Sequence, residues 1–360
     1  MLVVQINQWV PAAHRGDGVG DSARRVRDLL RRMGHLSELY ALAIDDDLVG
    51  DVRRYGEEGT CDGDVTILHF ALSSEMTEAF AALPRGRVLQ YHNITPARFF
   101  ASYDAGLFRL AALGRQELAA LVGHVELALG TSEFNRRELE ALGFHPTGVM
   151  PLAVDTGWIA RAPRRPALEA LLDDGLTNFL FVGRIAPNKR IEDHLWLAEH
   201  YRRYVSLDGR FIFVGRHDVV PRYYATLRAF IARFDMPRDR VVFTGPVPSE
   251  DLAAYYRTCS VYVSLSEHEG FCAPLVEAMA SDVPVLAYGA AAVPETLGGA
   301  GVQFRPKDLE RAAELLGVLA FDEEVRGAVI ARQRRRLPDF GDAVVERHLR
   351  TLVDRAGQGW

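Results

Sequence analysis

Cysteine is scarce in this chain. Cys61, Cys259 and Cys272 are the full set in 360 residues, and they show no metal-ligand spacing. An odd, scattered trio excludes a disulfide scaffold and a structural zinc site, and it fits a reduced, cytoplasmic chain. Long apolar runs are also missing. No window approaches the roughly 18 residues that a membrane helix needs. The opening stretch MLVVQINQWVP has neither the basic leader nor the apolar length of a signal peptide. Basic charge is in deficit: 42 Lys and Arg against 48 Asp and Glu leave a net charge of −6, which gives nucleic acid no footprint. Internal repeats and low-complexity segments are absent. So is the G-x-x-x-x-G-K-[ST] phosphate loop. Read from Gly16 through Gly18, a G-x-G-x-x-G fingerprint fails, because Asp21 stands where the last glycine belongs. NAD is thereby disfavoured.

What is present is ordinary globular material, 48% hydrophobic and 25% charged, so disorder is excluded. The length suggests two domains. Short, nearly continuous apolar runs alternate with amphipathic stretches. Residues Leu2–Ile6, Val65–Phe70, Arg87–Tyr91 and Val125–Leu129 read as strands in the first half. In the second half Asn178–Val182, Arg210–Val214, Arg240–Thr244, Ser260–Ser264 and Pro284–Ala287 do so. Between them Ala23–Met33, Arg109–Val122, Asn135–Leu142 and Ile191–Tyr204 read as helices. Apolar strands without polar alternation are the mark of parallel strands covered on both faces. The expected class is α/β, with two Rossmann-like, doubly wound parallel sheets. The proline-rich stretch RAPRRP breaks the alternation. It places an N-terminal domain at 1–160 and a C-terminal domain at 161–337. A C-terminal helix follows at 338–360, a candidate to pack back on the N-terminal domain.

Chemistry concentrates in SLSEHEGFCAPLVEAMASDVPVLAYGAAAVPETLGGAG, Ser264 to Gly301. A buried strand there ends in a polar loop and is followed by a helix with an early proline. The C-terminal edge of a parallel strand is where open α/β sheets bind ligands, and a helix start there suits a phosphate. Glu269 lies on the loop and Glu277 about a turn into the helix, so two carboxylates can reach different hydroxyls of one long ligand. This segment resembles the E-x7-E signature of the retaining glycosyltransferases of family four (glycosyl transferases group 1), which have the GT-B fold. FVGRIAPNKR, Phe181–Arg190, is similar to that family's Gly-Arg and Lys motif. HRGDGVGDSARRV resembles its glycine-rich acceptor-side loop, and YHNITP the place of its histidine facing the donor sugar. GTSEFNRREL and PLAVDTGW resemble its last N-domain helix and interdomain connection.

The resemblance implies two domains facing across a cleft and gives each residue a role. Arg184 and Lys189 would neutralise a diphosphate leaving group, Arg as a planar fork and Lys as a point charge. Glu269 would hold hydroxyls of the transferred sugar and Glu277 those of the ribose. Gly183 and the backbone N–H groups of Gly270, Phe271, Cys272, Ala273, Pro274 and Leu275 would cradle the phosphates. Gly18 and Gly20 would let backbone approach the diphosphate or the acceptor. His92 would touch the sugar from the other domain. The implied donor is a nucleotide diphosphate sugar, GDP-mannose first and UDP-glucose next, and the acceptor a glycan or a lipid-linked acceptor. No metal and no other cofactor is required. Two positions depart from the pattern: Cys272 stands where a second glycine is common, and Ser281-Asp282 where a glycine often precedes the next strand. The rivals are a nucleotide-sugar 2-epimerase of the same fold and a non-catalytic sugar-nucleotide binding module.

Other features read as bland. Asp45-Asp46-Asp47 could be a metal-binding D-x-D but lies far from the matched motifs, so a solvated loop is expected. Arginines 24, 25, 27, 31 and 32 line one helix, and a solvated face is the default. The second reading lays that helix on the inner face of an anionic membrane.

Overall fold

The computed structural model describes residues 3–234, 237 and 239–358. These fall into two compact units. The first holds the residues up to Arg98, Gly106–Asp155 and the stretch from Asp339 onward; the second holds Phe99–Ala105 and Thr156–Pro338. The chain thus changes unit after Asp155, ahead of the proline-rich stretch. The terminal helix Asp342–Gln358 is part of the first unit.

The first unit is built on a seven-stranded sheet of order β3-β2-β1-β4-β5-β6-β7. Its strands are β1 (Ile6–Ala13), β2 (Leu39–Ile44), β3 (Arg53–Arg54), β4 (Val65–Phe70), β5 (Arg87–Tyr91), β6 (Leu127–Gly130) and β7 (Thr147–Val149). Every pairing is parallel. β4 is apolar but for Thr66 and His69 and is buried throughout. The expected strand Leu2–Ile6 is corrected: Leu2 lies outside the described residues, and the strand starts at Ile6 and runs on through Asn7, Gln8 and Pro11. Its two amides are fully buried because each finds partners. Asn7 donates to Gly59 O, and Gln8 donates to Ala23 O. Pro11 lies beyond the stretch of β1 paired with β4, where a missing N–H costs little.

The Gly18–Arg32 helix begins ahead of the expected Ala23. Asp17 caps it, its side chain accepting from Gly20 N, and this overrides the poor propensity of two glycines. Its arginines are not a solvated face. Arg27 is 4% exposed and pairs with Asp28 and Asp51, Arg24 pairs with Asp21, and Arg25 lies between Asp155 and Asp342. Only Arg31 and Arg32, at 43% and 57%, are largely open to solvent, and they too meet Glu38 and Asp342. Val345, Leu349 and Leu352 of the terminal helix join Val26, Leu29 and Leu30 in the core beneath. Each such side chain contributes roughly 1.5–3 kcal/mol when fully buried.

The second unit repeats the plan with six strands of order β10-β9-β8-β11-β12-β13. They are β8 (Thr177–Val182), β9 (Gly209–Val214), β10 (Val241–Gly245), β11 (Val261–Ser264), β12 (Val285–Tyr288) and β13 (Val302–Phe304). All are parallel. Both sheets therefore have the doubly wound Rossmann order, with the strand order reversing between β1 and β4 and between β8 and β11. Those reversals open the crevices where such sheets take ligands. On the other side of β8 from the second reversal, β8 and β9 run close together past their ends. A Cβ on Gly215 would sit 2.2 Å from Gly183 O, so glycine is obligatory there.

Candidate active site

Beyond β8 the chain passes Gly183 and exposed Arg184 into a short 3-10 turn, Pro187–Lys189. Beyond β11 it enters the loop carrying Glu267 and Glu269. Two backbone-directed bonds clamp the loops together: Asn188 Nδ2 donates to His268 O at 3.1 Å, and Glu267 N donates to Asn188 O at 2.9 Å. This clamp brings Lys189 onto Glu269. Lys189 Nζ donates to both carboxylate oxygens, at 2.6 and 2.7 Å, with the side chains 17% and 8% exposed. The two residues assigned to different parts of a donor are thus bonded to one another. An ammonium has three N–H groups and a carboxylate about four lone-pair positions, so each keeps capacity for a ligand.

The surroundings tie down the start of the loop that carries Glu269. Lys307 Nζ bonds Asp193, Leu265 O and Glu267 while lying 4.6 Å from the centre of the Tyr288 ring. His194, on the Ile191–Tyr204 helix, donates from Nδ1 to Arg190 O and accepts at Nε2 from Leu265 N. Burial holds this imidazole neutral, its pKa lowered to about 4. Glu277 lies on the Ala273–Ala280 helix, where Tyr256 donates to its Oε2 at 2.8 Å. Burial pushes the Tyr256 hydroxyl far above its usual range, so it stays a donor.

The proposed phosphate cradle needs a correction from elementary chemistry. Pro274 has no N–H, and the N–H of Leu275 is bonded to Cys272 O at 3.0 Å. Neither residue offers a free donor. Both departures from the family pattern prove to be left-handed: Cys272 has φ +73° and Asp282 φ +56°. Glycine takes that conformation without a Cβ penalty, which explains why it is common at such places. Asp282 tolerates it with its carboxylate on Arg334 at 2.7 and 2.8 Å. Burial and Glu269 keep the Cys272 thiol protonated.

The first unit carries Gly18, Gly20 and His92. A Cβ on Gly18 would meet open space, whereas the N–H of Gly20 is taken by Asp17. Asp45 and Asp47 lie on the solvated surface and are paired there: Asp45 bonds His14 and the N–H of Arg15, and Asp47 pairs with the Arg15 side chain. Among the described residues no group of three His, Cys, Asp or Glu is placed to hold a metal ion. His92 follows β5, and its Nε2 lies 2.8 Å from Nδ1 of His69 on β4. Sequence reasoning missed His69, Gln8, Tyr256, His194 and Lys307. For His69 a signal existed, since it is a polar side chain inside the expected strand Val65–Phe70; Gln8 fell outside the expected strand Leu2–Ile6.

Residues 177–321 match the family model described as Glycosyl transferases group 1. The GDP-mannose-dependent alpha-mannosyltransferase of Mycolicibacterium smegmatis is 30% identical over 361 residues, covering 89% of this chain and 86% of that protein. The chain belongs to the group 1 glycosyltransferases, family four. A second relative, the serotype-specific mannosyltransferase WbdA of Escherichia coli, is 28% identical over 145 residues. The match takes in 40% of this chain and 17% of WbdA, so the chain spans about a sixth of that longer protein. Among solved structures, HepE of Anabaena in complex with UDP-glucose superposes with a TM-score of 0.73. That alignment has 17% identity and covers 98% of this chain and 99% of HepE. The fold is GT-B. No helix among the described residues is long and apolar enough to cross a membrane.

Proposed function

We propose that this chain is a retaining hexosyltransferase that moves a sugar from a nucleotide diphosphate to an acceptor hydroxyl in polysaccharide or glycoconjugate assembly. GDP-mannose is the first donor, after the dependence in the name of the mycolicibacterial relative; UDP-glucose is the second, after the ligand of HepE. The observation that carries the reading is the Lys189–Glu269 pair at the switch point of a parallel sheet. It sets a fixed cation beside a fixed hydroxyl acceptor, which suits the two sides of a sugar–phosphate bond. Arg184 and Lys189 stabilise the diphosphate as its charge grows. Glu269 holds the sugar and Glu277 the ribose, and His92 adds a contact to the sugar.

Retention follows from a front-face substitution. The anomeric C–O bond breaks toward the diphosphate, the acceptor oxygen bonds to the same face, and its proton passes to the departing phosphate oxygen. No protein nucleophile enters, so the protein contributes positioning and charge. With two cations on the diphosphate, the reaction needs no metal. The setting is cytoplasmic. Membrane contact through the Arg24–Arg32 helix is the weaker reading, because Arg24, Arg25 and Arg27 are folded onto acids.

A thermal-shift screen of GDP-, UDP- and dTDP-sugars identifies the donor, since a ligand at 100 times its Kd stabilises by about 2.7 kcal/mol. Transfer is then run in excess EDTA and the product anomer read by NMR. We expect retained configuration and undiminished turnover. Loss of activity restored by magnesium or manganese would overturn metal independence. An epimerised nucleotide sugar formed without acceptor would point to the 2-epimerase. Binding with neither transfer nor donor hydrolysis would leave a binding module.

A further inference from the structure

Gln8, His69 and His92 form a chain of hydrogen bonds on one face of the first sheet. The register explains their alignment: Gln8 pairs with Ile67, and His69, two residues on, pairs with Gln90, two residues before His92. The direction of every bond follows from chemistry. Ala23 O can only accept, so the Gln8 atom 3.1 Å from it is the NH2 group. The oxygen of Gln8 therefore faces His69 Nε2, at 2.9 Å, and that nitrogen carries the hydrogen. His69 Nδ1 is then a bare acceptor, and the His92 Nε2 lying 2.8 Å away must donate to it. What remains is His92 Nδ1, which has a lone pair and no hydrogen. It is shielded from solvent and has no partner among the described residues. A buried acceptor without a donor costs about 1–3 kcal/mol, and a native structure that keeps one calls for an explanation.

We propose that Gln8 and His69 are positioning residues which lock His92 in the Nε2–H tautomer, so that its Nδ1 accepts a hydrogen bond from a hydroxyl of the transferred sugar. This deepens the hexosyltransferase reading above and rests on it. The relay selects by chemistry. A hydroxyl donates and satisfies Nδ1, whereas a carboxylate or a deoxy carbon at the same place leaves the lone pair unmet. Were the relay absent, the imidazole could turn Nδ1–H outward and lose that preference.

Two measurements test the relay, one of them without activity. Two-bond proton–nitrogen NMR spectra of the imidazoles should show both His69 and His92 as Nε2–H tautomers, and His69→Leu should abolish that signature at His92. A native His92 with its proton on Nδ1 overturns the proposal. In transfer assays His69→Leu should lower kcat roughly 10- to 100-fold with nucleotide diphosphate affinity unchanged. His69→Asn, whose oxygen takes the place of Nδ1, should recover most of the loss. Deoxygenating the donor sugar one position at a time should reveal one hydroxyl whose loss costs the wild type but not His69→Leu, as coupled groups require. Equal activity in His69→Leu and wild type, or no such hydroxyl, also overturns it. If no sugar is transferred by any variant while the tautomers stand, the hexosyltransferase reading fails and the relay survives.

Discussion

Two sheets of the same strand order hold opposite kinds of chemistry at their switch points. Between β8 and β11 lies charge: Lys189 on Glu269, with Lys307, Asp193 and Glu267 beside them. Between β1 and β4, and on to β5, lies a neutral relay of an amide and two imidazoles. Burial lowers His69 to about 3, and burial followed by the neighbouring His69 lowers His92 well below its ordinary value. The fold therefore supplies a place, and its character comes from loop residues in the second unit and mainly from strand residues in the first. The proposed roles follow that contrast, with the charged site facing a leaving group that gains negative charge and the neutral relay facing hydroxyls of the sugar.

The sharpest way to break this contrast is to remove the cations. Arg184→Ala and Lys189→Ala should each lower kcat about 10²–10³-fold, as loss of a transition-state stabiliser does. The two should part company in stability. Arg184 is exposed, and its variant should melt like the wild type. Lys189→Ala leaves Glu269 buried without its cation, a change that typically costs about 3–5 kcal/mol. Steady-state kinetics and thermal melts of both variants decide it; wild-type turnover in either removes that residue from the mechanism.

Next in size is the split between nucleotide and sugar. Ribose is the same in ground and transition states, so Glu277→Ala should raise KM and weaken free nucleotide diphosphate roughly 10- to 100-fold, the worth of a charged hydrogen bond. His92→Ala should lower kcat and leave nucleotide affinity alone. Calorimetric titrations with the opposite pattern would mean the two units have been given each other's tasks.

How much of this was legible in the residues depends on how local each signal is. β4 and β5 were readable to the residue because short, mostly apolar runs mark them, and the Ile191–Tyr204 helix because its apolar residues recur at helical spacing. β1 was displaced because Asn7 and Gln8 look like a loop until Gly59 and Ala23 are known to satisfy them. β7 and β13 are three residues each, too short for any period to register. At the site, Lys189 and Glu269 were picked out by motif, yet nothing in the spacing said that they bond one another. The relay was invisible for a related reason. Its members come from β1, β4 and the end of β5, and only the register puts them in line.

A pH titration tests whether the buried imidazoles are neutral. His194 is lowered to about 4, so between there and the ordinary 6.5 the unfolded chain binds a proton that the native one refuses. Its stabilisation is complete above about pH 6.5 and drains away as the pH falls toward 4. The slope is about 1.4 kcal/mol per pH unit for each such group. Denaturant unfolding at pH 5 and 6 should show His194→Gln losing one such share of the slope. An unchanged slope would mean that the native protein accepts the charge, against the bond from Leu265 N to Nε2.

The smallest expected effect concerns Cys272. Its φ of +73° charges a side chain about 1–2 kcal/mol that glycine does not incur, while glycine gives up roughly 0.5–1 kcal/mol in chain entropy. Replacement by glycine also forfeits the packing of a buried thiol, so wild type is the wrong reference. Alanine is the right one: Cys272→Ala loses the sulfur and keeps the strained Cβ. Cys272→Gly should therefore be the more stable of the two, by up to about 1 kcal/mol, or about 2–4 °C in Tm for a unit of this size. That order reverses what glycine and alanine do in ordinary helix positions. A parallel pair at Asp282 should show the same order, since both lose the exposed bonds to Arg334, which are worth little. If alanine won at both positions, the left-handed backbone would carry no strain there, and the usual glycine of the family would need another cause.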